Sequence, residues 1–276
     1  FIKEKITELI PHLAKDADLI ILSQVKPGFT RKIKWKKEHL YYQIETLIFG
    51  DAIKRAIKPE RIIIGSYNNK LNSNFKRYLN EFTKKLLVIN YESAELGKLS
   101  INLFLSASVS MTNTIAEVCE KTSSSWGEIK EILKTDRRIG KFAYLNPGLG
   151  LSGGNIERDH INFLKITKSL KIKEKLVTSL IKDSSKRKEW LNNKLKKHQN
   201  DIKKNILLFG ITYKKNTNSI KNAPSINMIN KNTDFTFIGY DNQLTTKLKI
   251  KNLNIYHNLD FQIKNVNCCI ISREFR

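Results

Sequence analysis

The longest uninterrupted pattern in the chain is helical. From residue 92 to residue 121 the apolar positions keep a helical period, and neither glycine nor proline occurs after Gly97. At about 1.5 Å of rise per residue, such a helix crosses a whole domain. It separates two regions of different texture. Before it, residues 2–13 read as an amphipathic helix, and Leu19-Ile20-Ile21-Leu22 is a continuous apolar run of the buried, parallel-strand kind, ended by Lys26-Pro27-Gly28. A strand over 41–45, a helix over 50–57 and a strand over 61–65 follow. After it, helices over 126–134, 155–170 and 172–197 precede a new apolar run, Ile206-Leu207-Leu208-Phe209-Gly210. A helix then starts after Pro224, with strands near 235–240, 253–256 and 268–272. Short strands alternating with helices predict a doubly wound α/β sheet at each end. The expected plan is α/β over 1–91, helical over 92–198 and α/β over 199–276.

Composition narrows the functional classes. A 276-residue chain that is 40% hydrophobic can bury one or two cores. Its formal charge of +24 invites a nucleic-acid reading. The lysines are nevertheless scattered through every segment, as in Ile202-Lys203-Lys204-Asn205, with no arginine-rich arm and no basic strand interleaved with aromatics. Weak adhesion to polyanions is expected, and no specific nucleic-acid partner. No apolar run approaches the roughly 20 residues of a membrane helix, so no membrane partner is expected. There is no charged-then-apolar leader, and the chain begins at Phe1, as a fragment or a trimmed chain would. Cys119, Cys268 and Cys269 form no CxxC motif and read as core thiols of a reducing compartment, which points to the cytoplasm.

Several ordered motifs resemble one family. Ser23-Gln24-Val25-Lys26-Pro27-Gly28-Phe29-Thr30 is similar to a turn S-T-V-P-x-G-[TF]-[TS] at the end of a sheet strand. Glu45, Gly50 and Ala52, then Pro59-Glu60-Arg61-Ile62-Ile63-Ile64-Gly65, resemble P-E-F-L-x-E-G-x-A followed by P-x-R-I-v-i-G. Ala94-Glu95-Leu96-Gly97-Lys98 with Asn102 is similar to A-E-L-x-K-x-x-x-N, and Asp136-Arg137-Arg138-Ile139-Gly140 to D-x-R-I-G. The stretch from Pro147 to Asp159 lines up with P-G-x-G-F-G-G-S-C-F-x-K-D, and Gly210-Ile211-Thr212-Tyr213-Lys214 with G-L-A-F-K. Together they resemble the UDP-glucose/GDP-mannose dehydrogenase family over the whole chain.

The resemblance implies an α/β fold: a partial Rossmann-like NAD domain, a helical central domain that forms a homodimer, and a C-terminal Rossmann-like domain that binds nucleotide-sugar. It implies an NAD-dependent oxidoreductase acting on a CH–OH of a nucleotide-sugar, in the supply of polysaccharide precursors. Lys98, Asn102, Asn155 and Asp159 fall on catalytic positions. Glu45, Arg138, Tyr144, Gly150, Gly153 and Lys214 fall on substrate-binding ones, and Ser23, Gln24 and Glu45 on cofactor-binding ones. No metal is implied.

The residues also carry readings of their own. Lys98 and Asn102 are one helical turn apart and share a face, where a lysine can hold an oxyanion or a water; without the resemblance, a solvated lysine beside an asparagine is the plainer description. Gly148-x-Gly150-x-x-Gly153 formally matches the dinucleotide fingerprint, with Glu174 at a fitting distance. That fingerprint must leave a buried strand, and residues 142–147 are too few, too polar and closed by proline. The loop is therefore expected to be flexible backbone that folds over a sugar phosphate, with Arg138 beside it.

Two departures bear on chemistry. The family's cysteine, which attacks the aldehyde intermediate, is replaced by Asn155, and the lysine three residues on by Arg158. The family's active-site threonine is Gln24, its second substrate glutamate is Phe49, and the acid after Asn113 is Thr114. The family's opening βαβ unit, whose G-x-G-x-x-G holds the NAD pyrophosphate, is expected to be absent from this chain, and the loop at 148–154 is no substitute for it. Two alternatives follow: a catalytically silent homologue that binds nucleotide-sugar or dimerises, and, on composition only, a basic nucleic-acid binder.

Overall fold

A computed structural model describes residues 1–47, 51–152, 154–213, 216–245, 248–257 and 265–272. The chain forms two compact units, Phe1–Asn102 and Leu103–Arg276.

In the first unit, α1 (Ile2–Leu9) is followed by β1 (Leu19–Ile21), β2 (Leu40–Gln43), α2 (Ala52–Ile57), β3 (Ile62–Ser66), α3 (Ser73–Phe82) and β4 (Leu86–Asn90). The strands lie in the order β1-β2-β3-β4. β1 runs parallel to β2, with Leu19 opposite Leu40, and β3 parallel to β4, with Ile62 opposite Leu86. Between these pairs, β2 and β3 are antiparallel, with Tyr42 opposite Gly65. The sheet is therefore mixed, where alternation alone suggested purely parallel strands; antiparallel neighbours need no full crossover. Side-chain alternation splits the core into two faces. Leu40 and Tyr42 pack with Leu19, Ile21 and Tyr91 on one face, while Tyr41 packs with Ile64, Phe75 and Leu79 on the other. Asn72 caps α3, its side-chain oxygen accepting from the Phe75 N–H at 2.8 Å.

The long helix, α4 (Tyr91–Cys119), starts in the first unit and continues into the second. It begins one residue before the sequence pattern and ends two residues short of it. Four more helices follow: α5 (Trp126–Thr135), α6 (Gly154–Ser169), α7 (Leu176–Lys188) and α8 (Trp190–Lys197). The helix expected over 172–197 is thus two helices with a late start. Glu174 explains that start, since its carboxylate accepts from the Val177 N–H and from Thr178 Oγ1 at 3.0 Å. It caps a helix rather than sitting where a ribose acid would.

The second unit ends in β5 (Asn205–Phe209), α9 (Pro224–Lys231), β6 (Thr236–Tyr240), β7 (Leu253–Tyr256) and β8 (Val266–Ile271). All four strands pair in parallel in the order β7-β6-β5-β8. Ile206, Leu208, Met228, Ile229 and Phe237 form its core, joined by Leu191 and Leu195 of α8. The cysteines do not all lie in the core as expected. Cys119 and Cys268 are half-buried and Cys269 is exposed. Ile270 takes the core-facing position of β8, so its neighbour Cys269 faces the other way. Among the described residues, no helix is long and apolar enough to cross a membrane.

The first unit depends on a close approach of α4 to β3 at Gly65. A Cβ on Gly65 would lie 2.8 Å from Ala94 Cβ and 3.1 Å from Tyr91 Cα. Gly65→Ala is therefore expected to cost about 1–3 kcal/mol through overpacking. Urea unfolding of the chain would show this as a lowered midpoint, and an unchanged midpoint would refute the close approach.

Candidate functional site

The first unit supplies the turn that leaves β1. Gly28 sits there at φ +83°, a conformation that costs glycine nothing. The turn's N–H groups converge on Glu95 of α4, whose carboxylate accepts from Gly28 N at 2.5 Å and Thr30 N at 2.7 Å. Glu95 is fully buried. Burial pushes its carboxyl up from the ordinary range, against the hydrogen bonds that favour the charged form. Upstream of this turn, Ser23 is exposed and Gln24 half-buried; the side-chain oxygen Oε1 of Gln24 is buried and finds no hydrogen-bond partner.

Lys98 and Glu45 are brought together. Lys98 Nζ donates to the Glu45 main-chain oxygen at 2.6 Å, at the end of β2, while the Glu45 carboxylate accepts from Thr46 N at 2.9 Å. Asn102 lies one turn further along α4 and, like Lys98, is half-buried. The lysine is tethered to backbone, which rules out the freely solvated description.

The second unit holds the glycine loop and α6. Tyr144 is 46% exposed, and its carbonyl accepts from Ser108 Oγ at 3.2 Å and Thr112 Oγ1 at 3.0 Å. Trp126 Nε1 donates to the Leu145 carbonyl at 3.2 Å. Gly148 N donates to Asn113 Oδ1 at 2.7 Å, and Gly148 O accepts from Arg187 Nε at 2.8 Å. Gly150, at φ +84°, lies so close to α7 that a Cβ would fall 2.7 Å from the Ser184 carbonyl oxygen. Ser184 Oγ in turn accepts from Leu151 N at 2.8 Å. Residues 144–151 are thus hydrogen-bonded to three helices, α4, α5 and α7, where flexible backbone was expected. No strand precedes it, so the fingerprint match has no dinucleotide geometry.

Arg138 is turned elsewhere. Its guanidinium closes on Asp136, with Nη2 at 2.6 Å from Oδ2 and Nε at 3.0 Å from Oδ1, and its side chain is 89% exposed. The hydrogen bond from Arg138 holds the Asp136 carboxyl below the usual range. On α6, Asn155 is exposed, whereas Asp159 is 1% exposed with Arg158 Nε at 3.2 Å. Lys221 lies against Gly154, its Nζ 3.1 Å from where a Cβ would stand. Beside it, Glu157 accepts from Lys188 Nζ at 2.7 Å and from Asn222 Nδ2. Gly50, Gly153 and Lys214 lie outside the described residues.

Two anchoring residues went unassigned in the sequence. Glu95 stood inside a recognised motif with no role. Asp241, at the end of β6, is fully buried and holds the turn after β5: its Oδ2 accepts from Ile211 N at 2.8 Å, Thr212 N at 2.9 Å and Thr212 Oγ1 at 2.9 Å. The available signal is a charged residue immediately after, or inside, an otherwise apolar run. Among the described residues, no group of three or more metal-binding side chains occurs.

Two titrating groups in this unit respond to acid in the same direction. His160 is 1% exposed, and burial lowers its pKa below 6.5, outweighing the Ile156 carbonyl and the nearby Asp159 and Glu157. The unfolded chain then binds a proton that the folded chain resists, so stability falls as pH drops through the ordinary histidine range. At Glu117 burial opposes ionisation, but the Arg187 hydrogen bond and the Lys186 and Arg187 charges outweigh it and lower the carboxyl's pKa. Its contribution is present above the usual carboxylate range and is lost as pH falls through it. Unfolding midpoints measured from neutral to acid should therefore decline in two stages, and His160→Gln should abolish the first. A first stage of equal size in that variant would assign it to another group.

Residues 92–184 match the UDP-glucose/GDP-mannose dehydrogenase family, central domain. UDP-glucose 6-dehydrogenase TuaD of Bacillus subtilis is 30% identical over 186 residues, which is 67% of this chain and 40% of that protein. The UDP-glucose 6-dehydrogenase of Rickettsia prowazekii is 27% identical over 293 residues, spanning 100% of this chain and 67% of its own length. The fold is shared with a UDP-glucose dehydrogenase from Pyrobaculum islandicum, with a TM-score of 0.80 at 20% identity over 92% of this chain and 62% of that one. It is also shared with a UDP-D-ManNAc dehydrogenase from Pyrococcus horikoshii, with a TM-score of 0.77 at 19% identity over 99% and 66%. This chain therefore spans between two fifths and two thirds of the length of these proteins. With the motifs in order along the chain and the central domain matched in sequence, the chain belongs to the UDP-glucose/GDP-mannose dehydrogenase family.

Proposed function

We propose that this chain is the substrate-handling portion of an NAD-dependent dehydrogenase acting on a CH–OH group of a nucleotide-sugar. The observation that carries the reading is the tether of Lys98 to the Glu45 backbone, which joins two motif positions 53 residues apart. Lys98 and Asn102 hold a water or an oxyanion, Asp159 accepts a proton, and Glu45, Arg138, Tyr144, Gly150, Gly153 and Lys214 hold the substrate. We keep three domains, 1–91, 92–198 and 199–276, and the cytoplasm as the location.

NAD, when bound, accepts the hydride. The residues present fit one rim of its site: Ser23 and Gln24 follow β1, Glu45 follows β2, and the buried Gln24 Oε1 awaits a donor. They do not complete it, because no glycine turn leads from a buried strand into a helix among the described residues. Asn155 cannot trap an aldehyde as a thiol does, so the reading that fits this chain is oxidation that stops at the carbonyl. A silent, substrate-binding homologue is the second reading, favoured by the same asparagine.

Calorimetric titration of the 276-residue chain is expected to show saturable binding of UDP-glucose and none of NAD. Binding of NAD without UDP-glucose would invert the assignment. Joined to a domain bearing a G-x-G-x-x-G unit, the chain should form about one NADH per sugar and release an aldehyde that hydroxylamine traps. Asn155→Cys should then raise acid formation. Two NADH per sugar from the parent, with no gain in that variant, would show that no thiol is needed.

We also propose a homodimer through α4. Phe104, Met111 and Val118 recur at heptad spacing on that helix and are 79%, 62% and 55% exposed. Met111→Glu is expected to shift sedimentation from dimer to monomer, and a parent that sediments as a monomer would end this proposal.

A further inference from the structure

Gly148 is held by both of its main-chain polar groups, each by a buried side chain from a different helix. Asn113 of α4, 3% exposed, takes the N–H, and Arg187 of α7, 6% exposed, takes the carbonyl. Arg187 engages two arms of its fork and its planar face. Nε bonds Gly148 O, Nη1 lies 3.1 Å from Glu117 Oε1 and 4.0 Å from Glu120 Oε1, and the guanidinium lies 5.0 Å from the centre of the Trp190 ring. A planar fork can satisfy a carbonyl, a carboxylate and an aromatic face at once, which a lysine ammonium cannot. One turn back on α7, Ser184 bonds Leu151 N and backs onto Gly150. These contacts leave the Leu149 and Gly150 N–H groups without hydrogen-bond partners among the described residues.

We propose that Arg187, acting with Asn113, is the positioning residue of the glycine loop: by gripping the Gly148 peptide groups it sets the direction in which the Leu149 and Gly150 N–H groups meet an oxyanion of the substrate. This rests on the nucleotide-sugar reading above. Had Arg187 served stability alone, Glu117 and Glu120 would have sufficed as partners. Its Nε is instead committed to the loop, where a rotated peptide would swing both free donors away.

The full chain tests this with two variants and two measurements. Arg187→Lys keeps the charge beside Glu117 but loses the fork. It is expected to speed hydrogen exchange at the Gly148 and Leu151 amides about tenfold and to weaken UDP-glucose binding about tenfold, the loss of one hydrogen bond in each case. Glu117→Gln leaves an acceptor for Nη1 and weakens only the ion pair. It is expected to lower the unfolding midpoint without changing either loop exchange or binding. Unchanged exchange at Gly148 and Leu151 in Arg187→Lys overturns the proposal, as does an equal loosening of the loop in Glu117→Gln. Faster exchange in Arg187→Lys in a parent that does not bind UDP-glucose would uphold the positioning of the loop and overturn the functional reading instead.

Discussion

A backbone N–H that leaves water must find an acceptor, and three turns of this chain find theirs on side chains distant in sequence. The turn after β1 closes on Glu95, 65 to 67 residues away. The Gly148 N–H of the glycine loop closes on Asn113, 35 residues away, while Arg187, 39 residues away, donates to the Gly148 carbonyl. The turn after β5 closes on Asp241, 29 to 30 residues away. Each turn begins at or near a glycine with positive φ, Gly28, Gly150 or Gly210, so the backbone there follows a path that lone propensity would not hold. Removing the acceptor would leave buried donors unmet, a cost of about 1–3 kcal/mol each.

The charge balance sharpens the demand on acidic residues. With 50 basic and 26 acidic side chains, carboxylates are the scarce partner, and the second unit uses them as cross-links between helices. Glu189 joins α8 to α9 through Lys231 at 2.5 Å and Asn227 at 3.2 Å. Glu120, the residue after α4, receives Lys194 of α8 at 3.0 Å. Most of these pairs are partly exposed and individually weak. The buried Arg187 is the exception, and its charge is matched on two sides.

Anchored turns and scarce acids together frame the site chemistry. The residues to which the resemblance gives catalytic roles lie on α4 and α6, and the turns of each unit are held separately, by Glu95 in the first and by Asn113, Arg187 and Asp241 in the second. Asn155 stands where the resemblance implies covalent chemistry; near it Asp159 is buried and Gly154 lies against Lys221. In the proposed reading Asn155 stands where the resemblance implies a nucleophile, and the proposed reaction therefore ends at the carbonyl.

The periodic features were legible from sequence alone. Thirty helical positions with Gly97 as their single glycine and no proline specify α4 to within two residues, because period 3.6 repeated over many turns has few competing solutions. Apolar runs such as 19–22 and 206–210 located β1 and β5, and the ordered motifs indicated the family. The short α3 and β4 were not distinguished from the strand and helix around them. The late start of α7 also escaped, since Glu174 caps it through side-chain bonds that leave the apolar period unchanged. Strand direction between β2 and β3, the exposure of Cys269 and the partners of Glu95, Arg187 and Asp241 were decided only in three dimensions. Periodicity records which face of an element is buried. It carries nothing about which distant N–H a buried carboxylate will meet, because that pairing is set by how the elements stack and leaves no repeat in the chain.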